Sequence, residues 1–207
     1  MRRRRLRQAD FTVVIRKPPR GAGCCANQAA RGQSPTLGSV YHQVMTGDFE
    51  RKPLVSAVLR PTLPADYAEI ASWVSDAKAC VRWAGPRVPF PFSTDELATL
   101  LAVPGGESYC LAQGEAPACG FGQHWVLTPG SVHLGRLIVS PVMRGKGFGR
   151  QLCRQLITRA IEATGASAVT LRVYQDNFAA IALYRSLGFA RVEEESAEEV
   201  LFMRMRG

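Results

Sequence analysis

The chain has 207 residues, 46% of them hydrophobic, and a formal net charge of +9. This length suffices for one domain with a full core, and no apolar run reaches the roughly 18 residues of a membrane-spanning helix. Nine of the 26 Lys and Arg residues, but only one of the 17 acids, fall in residues 1–44, so the basic character does not indicate a nucleic-acid-binding domain.

The N-terminal tail, residues 1–44, combines Arg-rich runs with Gly and Pro breakers and has no lasting hydrophobic period, which predicts disorder. Its apolar run at 11–15 is too short for a secretory signal, and its composition fits an organelle transit peptide only weakly. A basic arm that touches nucleic acid is an alternative, although aromatic residues for base stacking are nearly absent. We interpret the tail as a leader without function and expect the true start at Met45.

Cysteines occur without any Cys-x-x-Cys pair, at positions 24, 25, 80, 110, 119 and 153. This spacing indicates neither a zinc site nor a disulfide framework. Cys110 and Cys153 lie within apolar patterns, where a free cysteine behaves as a small hydrophobe. We expect no bound metal and a reducing, cytoplasmic location.

The first part of the domain, which we expect to span residues 54–206, alternates apolar runs with proline and capping signals. Pro64 suits the first turn of a helix, Ser75 can cap a second helix, and Ser93 with Glu96 forms a capping box for a third. The elements predicted in this part are a strand at 54–60 and helices at about 64–74, around 79–83 and at 93–102.

Beyond residue 104 the pattern changes to short strands joined by tight Gly-containing turns, which are typical of antiparallel pairs. A long helix starting at Phe148 then leads to a further strand, and such a crossover predicts a parallel pair. Asn177 caps a last helix, and Gly188 closes it in the left-handed conformation. The predicted strands are 108–113, 118–127, 131–139, 168–173, 190–193 and 200–205. The fold class is α/β (α+β), with a mixed, mostly antiparallel central sheet flanked by helices.

In the stretch 136–149, an apolar strand, a glycine loop and a helix start follow directly on one another. Pro141 ends the strand, and glycines at 145, 147 and 149 let the backbone approach a ligand without an obstructing Cβ. The unpaired N–H groups of the first helical turn, together with the helix dipole, favour an anion. Because Lys146 and Arg150 add positive charge, the loop is predicted to bind a phosphate or pyrophosphate. Its spacing fits neither the nucleotide P-loop nor the dinucleotide fingerprint.

Two motifs follow one another in the second half of the chain. The first reads Val139-x-Pro141-x-x-Arg144-Gly145-x-Gly147-x-Gly149, and the second reads Asn177-Phe-Ala-Ala-Ile-Ala-Leu-Tyr184-x-x-Leu187-Gly188-Phe189. In this order they resemble the GNAT superfamily of N-acetyltransferases. The resemblance implies the GNAT-like acyl-CoA N-acyltransferase fold, with acetyl-coenzyme A (acetyl-CoA) as the acyl donor.

The resemblance also implies roles for individual residues. The pyrophosphate is expected on the amides of 145–150, the pantetheine arm along the strand at 137–139, and the far end of that arm at Asn177. Tyr184 lies two helical turns after Asn177, and it is the implied acid that protonates the departing thiolate. The expected cofactor-binding residues are Leu137, Ile138, Val139, Arg144, Gly145, Lys146, Gly147, Phe148, Gly149, Arg150 and Asn177.

The general base for the acceptor amine is left open by the sequence. Many relatives in the superfamily use a glutamate, and ribosomal-protein alanine acetyltransferases carry one five residues before the asparagine. That position is Arg172 here, which argues against an N-terminal alanine as the acceptor. The remaining candidates are His133, Gln123, His124 and an ordered water relay, and we take His133 as the second catalytic candidate beside Tyr184.

We expect an enzyme that transfers the acetyl group of acetyl-CoA to a primary amine by direct attack in a ternary complex. The acceptor is a small-molecule or peptide amine, and the chain is expected to act as a monomer or homodimer, with neither nucleic acid nor membrane as a partner. The alternative is a non-catalytic module of the same fold that binds acetyl-CoA as a sensor or partner domain. The acidic segment 193–199 either attracts a cationic amine to the acceptor side or forms a solvated hairpin tip.

Overall fold

A seven-stranded sheet carries the fold of residues 56–206, which are the residues that the computed structural model describes. The strands are ordered β1-β2-β3-β4-β5-β7-β6. β4 and β5 run parallel, and all other neighbours are antiparallel. The strand bounds are β1 Val58–Pro61, β2 Glu107–Ala112, β3 Gly120–Thr128, β4 Ser131–Val139, β5 Ala168–Tyr174, β6 Ala190–Arg191 and β7 Val200–Arg206.

The helices connect these strands, and their ends follow from capping residues. Asp76 caps α2 by accepting a hydrogen bond from the amide of Ala79 at 2.7 Å. Gly147 and Gly165 lie at the two ends of α4, both in the left-handed conformation that glycine adopts readily. The helix bounds are α1 Asp66–Ser72, α2 Ala77–Ala84, α3 Thr94–Leu100, α4 Phe148–Thr164 and α5 Phe178–Ser186, with short 3-10 helices at Pro141–Met143 and Glu193–Glu195.

Two hydrophobic cores contain the buried side chains of alternating strand positions. α4 and α5 contribute to one core, which includes Leu137, Val139 and Tyr184. α1, α2 and α3 contribute to the other, which includes Ile138 and Trp83. Since successive strand residues point to opposite sides of a sheet, β4 helps to build both cores. This double burial explains why 137–139 reads as a continuous apolar run.

Strand β1 lies at one edge of the sheet, and side chains of α4 occupy its outward hydrogen-bonding groups. The amide of Ala57 donates to Oε1 of Gln151 at 3.1 Å, and the amide of Leu59 donates to Oε1 of Gln155 at 2.8 Å. Nε2 of Gln155 also donates to the carbonyl of Ala57 at 2.8 Å. The next outward residue is Pro61, which has no amide hydrogen to leave unpaired.

The predicted fold class, a mixed and mostly antiparallel sheet flanked by helices, is confirmed. The parallel pairing of the strands on either side of the long helix is also confirmed, as is the left-handed Gly188 after α5. None of the helices in residues 56–206 combines the length and apolarity that crossing a bilayer requires. The tail 1–44, Met45, the two cysteines at 24 and 25 and the first residues of the strand expected from 54 lie outside the described residues.

Three helix starts differ from the prediction. The first helix begins at Asp66, beyond Pro64. Asp76 rather than Ser75 caps α2, because its carboxylate reaches the Ala79 amide, whereas the Ser75 hydroxyl donates to Asp76 itself. At α3 the capping box does not form, and the amide of Glu96 instead donates to the backbone carbonyl of Ser93 at 3.2 Å.

Candidate functional site

The glycine loop lies between the end of β4 and the start of α4. Gly145 and Gly147 have φ angles of 76° and 87°, which an ordinary side chain would strain. A Cβ at Gly145 would meet no atom within 4 Å, so there is open space beside this backbone. Gly149 belongs to the helix, which begins at Phe148 as predicted.

The amides of 145–149 donate no hydrogen bond within the described part of the chain. They belong to the loop and to the first turn of α4, where the intrahelical acceptors are missing. Lys146 and Arg150 are exposed beside them, and Arg150 donates to the hydroxyl of Ser186 on α5 at 2.8 Å. The side chain of Arg144 turns back to the carbonyl of Val139 at 3.1 Å. The loop therefore offers consecutive donors and positive charge to an anion.

β4 and β5 separate before they reach this loop. Their pairing runs from Ser131 opposite Ala168 to Leu134 opposite Leu171, and the described residues show no pair beyond that. On its other side β4 stays paired with β3 up to Val139. A register shift accompanies the separation, and Arg136 there has a φ of 53°. The β5-facing edge of residues 135–139 thus carries no strand in the part of the chain that the structure describes. The carbonyls of Arg136 and Val139 accept side-chain hydrogen bonds, from Nε1 of Trp83 at 2.7 Å and from Nε of Arg144 at 3.1 Å, and an extended ligand can add to the remaining backbone groups like a strand.

Helix α5 begins beside this gap with Asn177 and carries Tyr184. Asn177 is 7% exposed, and its Oδ1 accepts a hydrogen bond from the amide of Ala180 at 3.3 Å. Tyr184 is fully buried, packs its ring edge-on against Phe189 and shares a core with Val139. The structure therefore places the predicted asparagine at the N-terminal end of the helix that carries the predicted tyrosine, and the tyrosine lies in the core to which β4 contributes.

The hydroxyl of Tyr184 is buried and has no hydrogen-bond partner within the described residues. Such a group costs stability unless a ligand or solvent molecule satisfies it. Burial raises the pKa of Tyr184 well above its ordinary value, and the nearby Cys153 adds to that effect. The phenol is therefore protonated at physiological pH and can act as a proton donor.

His133 does not fit the role of general base in this placement. Its ring is fully buried between Trp125 and Phe202, at centroid distances of 5.0 Å and 6.2 Å. Its Nδ1 lies 2.8 Å from the hydroxyl of Thr170. Burial, with a smaller contribution from Arg172, lowers its pKa to about 3. A base with so low a pKa takes up a proton poorly at neutral pH, which argues against the role of general base.

The other two candidates for the base are also engaged in the interior. The side-chain Nε2 of Gln123 donates to the carbonyl of Leu101 at 2.9 Å and to the hydroxyl of Ser108 at 2.7 Å. His124 is 1% exposed and stacks on Tyr109 at 5.6 Å. Burial lowers the pKa of His124. These placements are typical of structural residues rather than of a base that meets solvent.

The buried His133 predicts how stability depends on pH. An unfolded histidine has a pKa near 6.5, so the unfolded chain takes up this proton first as the pH falls. We expect the melting temperature to fall as the pH is lowered from about 6.5 towards 3, with His133 contributing roughly 1 kcal/mol per pH unit. His133→Gln should flatten this slope in a thermal melt series, and His124→Gln serves as the comparison for the second buried ring. Equal slopes in wild type and His133→Gln would contradict the expectation.

A separate groove of about 700 Å³ lies at the C-terminal end of β5. It is bounded by α2, by the turn after β5 and by the residues that precede β7. Its charged or aromatic lining residues are Lys78, Arg82, Tyr174, Asp176, Glu198 and Glu199. Of the five glutamates in the acidic segment 193–199, Glu198 and Glu199 therefore line the groove. Glu193 and Glu195 pair with Arg191 and Arg204 instead.

Residues 72–189, more than half of the 207, match the family model described as the acetyltransferase (GNAT) family. The chain belongs to the GNAT family. The match contains the separated strands, the glycine loop, Asn177 and Tyr184.

Curated relatives of this GNAT chain match it over short stretches. The N-alpha-acetyltransferase RimI of Mycobacterium tuberculosis is 48% identical over 54 residues, which are 26% of this chain and 32% of that protein. An uncharacterized N-acetyltransferase of Bacillus subtilis, YobR, is 36% identical over 61 residues, which are 30% of this chain and 24% of that protein. The matched stretch thus spans about a third or less of the length of these relatives.

Solved structures of other GNAT proteins share the fold over most of the chain. Spermidine N-acetyltransferase from Vibrio cholerae, in complex with CoA and spermine, has a TM-score of 0.61 at 19% identity and covers 72% of this chain and 95% of that one. Aminoglycoside acetyltransferase AAC(6′)-Ib, in complex with ribostamycin and coenzyme A, has a TM-score of 0.60 at 20% identity and covers 73% and 93%. At these identities the likeness shows the fold.

The GNAT chain also has site features that the sequence did not reveal. Arg82 forms an ion pair with Asp176 and lies over the ring of Tyr174, 4.1 Å from its centroid. These residues are 94 positions apart along the chain, and no local pattern connects them. The sequence feature that points to this groove is the acidic segment 193–199, of which Glu198 and Glu199 line the groove.

Proposed function

We propose that the chain transfers the acetyl group of acetyl-CoA directly to a primary amine in a ternary complex. The observation that carries this proposal is the open β4 edge at 135–139, which leads straight into the glycine loop. An extended edge followed by consecutive amide donors suits a ligand with a long polar arm and a pyrophosphate. The unbonded, buried hydroxyl of Tyr184 is a second feature that fits such a ligand.

The cofactor-holding residues would be those of the loop and its flanks. The amides of 145–149, with Lys146 and Arg150, would hold the pyrophosphate. The open edge of Leu137–Val139 would pair with the pantetheine arm, and Asn177 would meet the end of that arm. When bound, acetyl-CoA supplies an acetyl group activated as a thioester.

Tyr184 is the proton donor in this proposal. Its hydroxyl keeps its proton at physiological pH because burial raises its pKa, and it would release that proton to the departing thiolate. The acceptor amine must lose a proton before it attacks. Since His133, His124 and Gln123 are almost fully buried, we propose that water in the solvent-open groove accepts that proton.

The groove beside Tyr174 is the proposed acceptor site. Arg82 neutralises Asp176 there, so Lys78 is opposed by the two carboxylates of Glu198 and Glu199. A net acidic wall raises the local concentration of a cationic amine and guides its approach. Spermidine and aminoglycosides, named for the two solved structures of similar fold, are amines of this kind.

This assignment predicts an effect on one Michaelis constant. Glu198→Gln combined with Glu199→Gln should raise the KM for spermidine, used as a polycationic probe, about three- to tenfold, and 0.5 M salt should remove the difference because exposed charges are screened. The KM for acetyl-CoA should stay unchanged. The matched control is Glu193→Gln combined with Glu195→Gln, which removes two acids that pair with arginines outside the groove. An equal effect of both pairs would mean that net charge, not the groove, attracts the amine.

The experiment that tests the function is an amine panel with acetyl-CoA, read as release of free thiol. We expect thiol release with at least one cationic primary amine. A chain that binds acetyl-CoA in calorimetry yet releases no thiol with any amine would be the sensor or partner module instead. A chain that does not bind acetyl-CoA at all would overturn both functions.

A further inference from the structure

One short turn, residues 174–177, belongs to both proposed sites. Tyr174 and Asp176 line the proposed acceptor groove. The next residue, Asn177, caps the N-terminus of α5, and the proposed function assigns it to the cofactor. The amide of Asn177 donates to the carbonyl of Tyr174 at 3.0 Å. The position of the asparagine therefore depends directly on how this turn is held.

Arg82 holds the turn from the α2 side of the groove. Its guanidinium forms an ion pair with Asp176 and lies 4.1 Å from the centroid of the Tyr174 ring. The hydrogen bond from Arg82 is the main cause that lowers the pKa of Asp176. The arginine side chain is 17% exposed, so it reaches these partners from a mostly enclosed position. Planar stacking together with a carboxylate contact is geometry that arginine provides and lysine does not.

The segment before β7 holds the same turn from the opposite side. The backbone amide of Gln175 donates to the carbonyl of Glu199 at 2.9 Å. The side-chain amide of Gln175 donates to the carbonyl of Glu198 at 2.7 Å. Both walls of the groove are therefore bonded to the turn, and on the α2 wall the contact is made by the charged side chain of Arg82, which also lines the groove.

We propose that Arg82 is a positioning residue: through its contacts with Asp176 and Tyr174 it holds Asn177 in the position that binds the cofactor. In this way Arg82 couples the acceptor groove to cofactor binding. The inference rests on the proposed function, since it requires that Asn177 contact acetyl-CoA. A ligand in the groove meets the guanidinium, and any change in its contacts with Asp176 reaches Asn177 through one peptide bond. Coupling of this kind is reciprocal, so cofactor binding also orders the groove.

The test compares coenzyme A affinities by calorimetry in variants of the full chain. Arg82→Gln should weaken coenzyme A binding roughly tenfold, a typical coupling factor, and Asp176→Asn should weaken it by a similar amount. Arg82→Lys, which keeps the charge and loses the stacking, should fall between wild type and Arg82→Gln. The matched control is Arg87→Gln, which removes an exposed arginine just beyond α2 and should bind coenzyme A as wild type does.

A combined variant separates positioning from general damage to the fold. In an Asn177→Ala background, Arg82→Gln should cause no further loss, because the residue through which it acts is already gone. An equal tenfold loss in that background, or affinity within twofold of wild type for Arg82→Gln alone, would overturn the inference. If Arg82→Gln does not fold, Arg82→Lys with and without Asn177→Ala decides in the same way. Wild-type protein that fails to bind coenzyme A would refute the proposed function instead.

Discussion

Replacing Gly147 with aspartate should abolish binding of acetyl-CoA. The φ of 87° at this position is a conformation that costs an ordinary residue about 1 kcal/mol. More importantly, the new carboxylate would stand at the N-terminus of α4, where the amides of 145–149 face the proposed pyrophosphate. We expect no measurable heat of binding at cofactor concentrations that saturate the wild type.

The same helix offers a matched control for this variant. Gly165 ends α4 with a φ of 62°, and a Cβ there would meet no atom within 4 Å. Gly165→Asp therefore imposes a similar backbone strain and adds the same charge at the opposite end of the helix. Both variants should melt a few degrees below wild type, and only Gly147→Asp should lose the cofactor. Full affinity in folded Gly147→Asp would remove the loop from the cofactor site.

Replacing Tyr184 with phenylalanine should lower turnover about a hundredfold, equal to about 3 kcal/mol of activation free energy. The ring and its edge-on contact with Phe189 are kept, so cofactor affinity should hardly change. Because the wild-type hydroxyl is buried without a partner in the described residues, its removal should leave the melting temperature unchanged or raise it. A large loss of turnover without loss of stability is the signature expected of a proton donor.

Tyr109 provides the comparison for this variant. It is 4% exposed and shares a core with Tyr184, but its hydroxyl bonds to Glu107 and accepts from Arg159 at 2.8 Å. Tyr109→Phe should therefore lower the melting temperature and spare turnover, the reverse of Tyr184→Phe. Wild-type turnover in Tyr184→Phe would remove this residue from the mechanism.

The parts of the fold that sequence predicts well are those with local causes. Strand alternation, the four-residue repeat that starts at Phe148 and the left-handed Gly188 each depend on neighbours within a few positions. The sequence does not distinguish Ser75 from Asp76 as the cap of α2, because both residue types are good caps and only the backbone geometry decides between them.

The same distinction between local and long-range causes applies to the candidate site. The glycine loop and the spacing from Asn177 to Tyr184 are contiguous in sequence, so their proximity could be expected. The burial of His133 depends on Trp125 of the adjacent strand β3 and on Phe202 of β7, which lies beyond β5 in the sheet. No sequence pattern around residue 133 predicts that burial. The Arg82 contact with Asp176 joins residues 94 positions apart, with β2 to β5 between them in the sequence, and it forms only when the chain folds.

The hydrogen bonds between the β1 edge and α4 have a consequence for synthesis on the ribosome. The residues that cover the edge, Gln151 and Gln155, follow their partners Ala57 and Leu59 by 94 and 96 positions. At typical translation rates, roughly 5–20 s pass before those glutamines exist. During that interval an emerging β1 has open hydrogen-bonding groups that a strand of another nascent chain can occupy. Chaperone demand and co-translational aggregation should therefore depend on how soon α4 is made, and a slow stretch of codons before residue 151 should lower the soluble yield.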